Sequence, residues 1–167
     1  TCGKNPAAGA GLALISLIKK IKGDKHHSPL IDKLAFGGYN KRFGKTSKDD
    51  SVVWFTSDES VRKTYYNDKY CNFNFSVSAM GDLIRLIKEC NRNEWYKNVG
   101  GKMPVLLISG EEDPVGNYGK GIIEVRDNLI KQKSDVTCIL YKNARHEIIN
   151  DFTYETVKND IITFVEK

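Results

Sequence analysis

The pattern of apolar and polar positions is clearest in the C-terminal part of the chain. Residues 104–109 (PVLLIS) and Val136–Tyr141 (VTCILY) are short, continuous apolar runs, which predict strands buried on both faces of a parallel sheet. Residues 118–133 and 153–165 carry apolar side chains at helical spacing. A strand, a helix, a second strand and a second helix in this order predict a parallel sheet covered by helices.

The chain before residue 104 has a different pattern, which predicts helices and loops. Residues 6–22 form an apolar face at helical spacing, with lysines near the end and Gly23 as a stop. We interpret this segment as a buried amphipathic helix; the alternative is a lid helix that makes a peripheral membrane contact. Further helices are predicted at Pro29–Phe36, at 58–67 with Asp58 as the N-cap, and at 77–92, whereas 36–50 reads as a loop and 70–76 alternates weakly.

Composition and charge narrow the classes of protein. A length of 167 residues suits one domain, and the net charge of +5 weakly favours anionic surfaces. No nucleic-acid motif accompanies that charge, so we expect no nucleic-acid partner. No apolar stretch is long enough to span a membrane, and the first residues do not form a secretory signal.

Cysteine and histidine positions argue against a metal centre or a disulfide framework. The cysteines are widely spaced and predict free thiols in a reducing compartment, hence a cytoplasmic protein: Cys2, Cys71, Cys90 and Cys138. His26 and His27 lie in a polar segment without further ligands at suitable spacing, so we interpret them as solvated loop residues. We therefore expect no metal and no cofactor.

Polar residues follow both predicted strands and are candidates for chemistry. Asp113 lies in SGEEDPVG after the first strand, and His146 lies in YKNARHEI after the second, 33 residues further on. In a parallel sheet these segments meet in one crevice beyond the strand ends. A carboxylate beside a histidine is the arrangement that activates a serine nucleophile, and the chain order of acid before histidine fits such a triad. Glu111 and Glu112 are the alternative acids.

Residues 109–116 and 144–147 (ARHE) closely resemble the C-terminal signature of α/β-hydrolases, of the serine aminopeptidase, monoacylglycerol lipase and bacterial lysophospholipase-like group. The resemblance extends over nearly the whole chain, through 34–43, 54–59, 70–76 and the opening residues 1–3. It implies a mainly helical cap over residues 1–80 and the C-terminal part of the hydrolase core over 81–167. It also implies that Asp113 is the triad acid, that His146 is the general base, and that the substrate is a small lipid-like ester.

The chain departs from that family pattern at the nucleophile. It contains no Gly-x-Ser-x-Gly elbow, and neither Ser78 nor Ser109 has the glycine spacing of one. We therefore expect the serine upstream of this chain, or in another chain, and expect this chain alone to be inactive and unstable. Two other readings stay open: a non-catalytic module that binds a hydrophobic ligand, and a peptidase of the same fold. Six aromatic residues either line an acyl pocket or only pack the cap: Phe36, Tyr39, Trp54, Phe55, Phe73 and Phe75.

Overall fold

The computed structural model describes residues 3–44, 52–71, 73–99, 101 and 103–167, which form helices and a parallel sheet. The predicted features at residues 1–2, 45–51 and 72 lie outside the described residues. In chain order the elements are α1 (Ala8–Lys22), α2 (Pro29–Phe36), α3 (Glu59–Asn67), α4 (Val77–Glu89), α5 (Asn93–Val99), β1 (Val105–Gly110), α6 (Lys120–Lys131), β2 (Val136–Tyr141) and α7 (Tyr154–Val165). Short 3-10 helices occur at Tyr39–Arg42 and Ile148–Asn150.

The two predicted strands form and pair in parallel. Val105 lies opposite Val136 and Gly110 lies opposite Tyr141, so the carboxyl ends of β1 and β2 coincide. Helix α6 covers one face of this sheet, where its Val125 and Leu129 are fully buried. Helix α7 covers the other face with the buried Val157. These layers confirm the α/β class.

Both faces of the two strands are covered by helices, as predicted, but the strands are not fully buried. Residues 105–109 and 136–140 are only half-buried, and burial is complete at the last residue of each strand. The reason is geometric, because each strand has a hydrogen-bonded neighbour along one edge alone within the described part of the sheet. A continuous apolar run therefore predicts that both faces of a strand are covered, but it does not predict whether another strand pairs along each edge.

Helices α1, α2 and α4 pack around a separate apolar cluster. Ile15 of α1 and Met80 of α4 are each 2% exposed, and Ile31 and Val77 complete the cluster. The amphipathic helix predicted over 6–22 begins at Ala8 and ends before Gly23, whose φ of 86° suits a glycine stop. The cap boundary predicted near residue 80 stays a prediction; α4 runs across that position.

Other local predictions have mixed outcomes. Asp58 is the N-cap of α3, as predicted, and its carboxylate accepts from the amides of Ser60 and Val61. Helix α6 begins at Lys120 rather than at residue 118, because Asn117 and Tyr118 have left-handed φ angles of 51° and 55°. The sequence did not predict α5 or either 3-10 helix, and the described part of 70–76 forms no strand beyond a bridge at its end. None of the described helices is long and apolar enough to cross a bilayer.

Candidate active site

The loops after β1 and β2 lie against each other at the carboxyl edge of the sheet. The amide of Glu111 donates to the carbonyl of Tyr141 at 2.9 Å, and the amide of Glu112 donates to that of Ala144 at 2.9 Å. These bonds continue the β1–β2 pairing past the strand ends. The loop that carries Asp113 and the loop that carries His146 are thereby held side by side.

Gly110 allows this close approach. A Cβ atom built at this glycine would lie 2.1 Å from the carbonyl oxygen of Arg145 and 2.3 Å from that of Ala144. Real Cβ atoms essentially never approach other atoms closer than 3.0 Å. The backbone of residues 142–150, called the histidine loop below, therefore occupies the space that any side chain at residue 110 would need.

Asp113 and His146, one on each loop, contact each other beyond the ends of the strands. Nδ1 of His146 lies 3.1 Å from Oδ1 of Asp113, and Asp113 is 6% exposed. The same Oδ1 accepts from the amide of Val115 at 2.8 Å, which orients the carboxylate. The distance is that of a hydrogen bond, but the N–H of the ring is not aimed at the oxygen within hydrogen-bonding limits. Such pairs are often imperfectly aligned before substrate binds.

The surroundings of His146 have opposing effects on its protonation. Burial of the ring is the largest effect and by itself lowers the pKa. The 3.1 Å contact with the negatively charged Asp113 and the charge of Glu147 together outweigh burial, so the pKa of His146 is raised above its ordinary value. A carboxylate at Nδ1 favours the tautomer that carries its proton there and leaves the lone pair on Nε2.

A segment from the region before β1 lies across the histidine loop. This segment, residues 52–57, is called the strap below. The backbone amide of Glu147 donates to the carbonyl of Phe55 at 2.8 Å, and the hydroxyl of Thr56 donates to the carbonyl of Asn150 at 2.8 Å. The strap therefore follows the histidine loop through hydrogen bonds spread over several residues.

A buried carboxylate secures the far end of the strap. Asp151 is 7% exposed and accepts the backbone amide of Ser57 at 3.0 Å and, through its other oxygen, the hydroxyl of Ser57. Because the carboxylate is buried, these charge-assisted bonds are stronger than exposed ones would be. Asp151 therefore joins the strap to the loop that leads into α7.

Aromatic rings connect His146 to the region before β1. The ring of Trp54 lies 5.2 Å from that of His146, and the ring of Tyr39 lies 5.0 Å from that of Trp54. Phe36 continues the row at 5.9 Å from Tyr39, and Phe55 lies 6.2 Å from His146. These rings form one wall that begins at the histidine.

The row of rings ends at an apolar cavity between α1, α2 and α4. The cavity has a volume of about 400 Å³, and Phe36 and Tyr39 are part of its lining together with residues such as Leu14, Ile31 and Leu83. Small-molecule sites have volumes of roughly 300–1,000 Å³ and mostly apolar walls. The cavity is therefore large enough to hold the apolar part of a small ligand.

The other sequence candidates lie elsewhere. Glu111 is exposed and Glu112 is half-buried, and neither is in contact with His146 in the described hydrogen bonds and ion pairs. Phe73 and Phe75 contact each other edge to face and remain 61% and 39% exposed. His27 forms a backbone bridge with a residue next to α4, away from the strand ends.

Sequence reasoning missed the residues that join the strap to the histidine loop. The sequence marks Arg145 only as part of the ARHE motif, yet Nη1 of its guanidinium donates to the carbonyl of Val53 at 2.8 Å and to that of Thr56 at 3.1 Å. Asp151 was assigned no role. A weak signal existed, since both residues flank the candidate histidine, but their partners lie about 90 residues earlier in the chain.

Comparison with known proteins identifies the class of this fold. A carboxyl esterase from Bacillus coagulans, solved in complex with glycerol, is 25% identical, with a TM-score of 0.88 over 99% of this chain and 54% of that chain. A lipase in an open form is 23% identical, with a TM-score of 0.84 and the same coverage. A soluble variant of monoglyceride lipase from Saccharomyces cerevisiae is 18% identical, with a TM-score of 0.53 over 95% and 61% of the two chains. The fold is that of the α/β-hydrolases.

The family within that fold follows from the sequence. The family described as serine aminopeptidase, S33, matches residues 2–153, and the chain belongs to it. A search of curated proteins finds no significant match. The chain spans about half the length of the esterase and the lipase that it resembles.

Proposed function

We propose that this chain supplies the acid and the base of a Ser-His-Asp triad in an enzyme that hydrolyses carboxylic esters of lipids. In this proposal the serine lies upstream of residue 1 in the same protein, or in another chain. The observation that carries the proposal is the 3.1 Å contact between Asp113 and His146, at the carboxyl ends of adjacent parallel strands. That position is where α/β-hydrolases place these two groups.

The chemistry is acyl transfer in two steps. The serine oxygen attacks the carbonyl carbon of the ester while Nε2 of His146 takes the hydroxyl proton. Collapse of the tetrahedral intermediate breaks the bond to the alcohol, which leaves with the proton from His146. Water then attacks the acyl carbon while His146 takes its proton, and collapse of this second intermediate breaks the bond to the serine oxygen, which regains the proton from His146 as the carboxylic acid leaves. Asp113 stabilises the imidazolium in both steps, and no metal or cofactor takes part.

The apolar cavity supports a lipid-like ester over a polar substrate. A row of rings from Trp54 through Tyr39 to Phe36 links His146 to this cavity of about 400 Å³. An ester whose carbonyl is at His146 could extend its apolar chain along these rings. The resemblance to a carboxyl esterase agrees with this substrate class, and we propose monoacylglycerols or lysophospholipids as the substrates.

Fluorophosphonate labelling of the full-length gene product tests the triad. We expect one adduct, located by intact mass and peptide mapping on a serine upstream of Thr1. His146→Ala should abolish the adduct, whereas the matched control His27→Ala should keep it, because His27 lies away from the strand ends. A folded protein without an adduct would favour the ligand-binding module, and an adduct within residues 1–167 would contradict the assigned site.

Substrate comparison tests the chemical class. Hydrolysis of a glycerol monoester, with no hydrolysis of aminoacyl amides, is the expected result; the reverse would move the assignment to a peptidase. Leu83→Trp places a larger side chain in the wall of the cavity. It should raise KM for long-chain esters and leave acetate esters unchanged, and equal effects on both would argue against acyl binding there.

We also propose that α1 makes a peripheral contact with a membrane. Leu17 and Ile21 lie one helical turn apart and are 56% and 67% exposed, and the nearby Lys20 and Lys22 are exposed as well. Apolar side chains beside lysines suit an anionic lipid surface. Replacing Leu17 and Ile21 with serine should weaken binding to vesicles that contain phosphatidylserine, and unchanged binding would exclude this contact.

A further inference from the structure

The histidine loop carries an arginine that donates hydrogen bonds to the strap. The guanidinium of Arg145 reaches two backbone carbonyls of the strap, those of Val53 and Thr56, at 2.8 and 3.1 Å. The guanidinium carbon also lies 4.4 Å from the centre of the Phe43 ring. Val53 and Thr56 are 3% and 0% exposed, so these bonds form where water does not compete well.

Attachments to the strap lie on both sides of His146. The residue before it, Arg145, binds Val53 and Thr56 through its side chain, and the residue after it, Glu147, binds Phe55 through its backbone amide. His146 thus lies between two residues that each form hydrogen bonds with the strap. The strap in turn presents Trp54, whose ring lies 5.2 Å from the imidazole.

We propose that Arg145 is a positioning residue. By binding the strap, it fixes the histidine loop so that His146 stays within contact distance of Asp113. This inference rests on the proposed triad. A general base must be placed within a fraction of an ångström of its working position, and a misplacement of about 1 Å costs roughly 100-fold in rate. The loop itself is short and includes Asn143 with a left-handed φ of 60°. The arginine supplies a restraint from a part of the chain about 90 residues away.

The shape of the arginine matters for this role. Both carbonyls accept from the same nitrogen, Nη1, whose two N–H bonds are fixed in the guanidinium plane and can each point at one carbonyl. A lysine ammonium at the same position is a compact point charge on a flexible stem, and we expect it to hold one carbonyl well. Methionine keeps most of the apolar stem but donates nothing.

Arg145→Met and Arg145→Lys in the full-length gene product test the proposal. The rate of inactivation by diisopropyl fluorophosphate measures how well the histidine activates the serine, because this small reagent does not need the cavity. For Arg145→Met we expect that rate, and kcat for both acetate and long-chain esters, to fall together by roughly 10- to 100-fold with KM little changed. Arg145→Lys should recover part of the loss and also guards against a methionine variant that does not fold.

Arg62→Met is the matched control. Arg62 donates from α3 to the same Thr56 carbonyl at 2.8 Å and to that of Ser57 at 2.9 Å, but it is not part of the histidine loop. We expect this variant to lower the melting temperature and to keep the inactivation rate within about twofold of the wild type, consistent with a loss of local bonds only.

Four outcomes would overturn the inference. A wild-type inactivation rate in Arg145→Met, or an equal loss in Arg62→Met, would leave Arg145 with a structural role alone. A loss confined to long-chain esters would assign Arg145 to the shape of the cavity rather than to His146. A wild-type protein that neither reacts with the reagent nor hydrolyses esters would overturn the proposed function and this inference with it, which separates the two failures.

Discussion

Gly110 offers a direct test of how the two loops are held together. Replacing it with alanine adds one methyl group, and that group would lie 2.1 Å from the carbonyl oxygen of Arg145. To restore a tolerable contact of 3.0 Å, the two backbones must separate by about 0.9 Å. The carbonyl that must move belongs to the residue directly before His146.

The expected consequence is a loss of both activity and stability. A displacement near 1 Å at the general base lowers the rate by roughly 100-fold. Overpacking of this kind costs about 1–3 kcal/mol in the free energy of unfolding. The contact between His146 and Asp113 is 3.1 Å, so a retreat of this size would break it.

The assay compares Gly110→Ala with Gly9→Ala in the full-length gene product. Gly9 lies in α1, and a Cβ atom there meets nothing within 4 Å, so its alanine variant should be as active as the wild type. We would measure kcat for an acetate ester and the midpoint of urea unfolding for both variants. Wild-type kcat in a folded Gly110→Ala protein would refute the reasoning, because it would mean that the loops tolerate the separation.

Three further predictions concern the same region. Asp113→Asn removes the carboxylate that offsets burial, so the pKa of His146 should fall; the rise of kcat/KM with pH should shift to lower pH, and kcat should drop by roughly 10⁴-fold. Unchanged pH profiles would exclude the pairing. Asp151→Asn should lower the free energy of unfolding in urea by about 1–3 kcal/mol, because the buried carboxylate that accepts from Ser57 of the strap is replaced by a partly unsatisfied amide. Tyr141→Phe removes a 2.9 Å bond to the carboxylate of Asp160 and should cost about 1.5–3 kcal/mol, and no change in the unfolding midpoint would show that this bond is not stabilising.

Local sequence signals predicted the elements that depend on neighbouring residues. The apolar runs of β1 and β2, the N-cap at Asp58 and the stop at Gly23 were all predicted correctly, because capping and periodicity act within a few residues. The starting point of α6 was wrong, since no local signal marks Asn117 and Tyr118 as left-handed. Helix α5 was missed because its short pattern gains stability from the burial of Tyr96 against α6.

The sequence by itself determined the order of the elements and placed Asp113 and His146 after consecutive parallel strands. Those features follow from periodicity and chain order, which are properties of neighbouring residues. The tertiary structure alone decided the 3.1 Å contact, the packing of Gly110 against the histidine loop, and the strap that Arg145 binds. Each of these joins residues from about 30 to about 90 positions apart, and such contacts depend on the packing of the whole chain rather than on any local pattern.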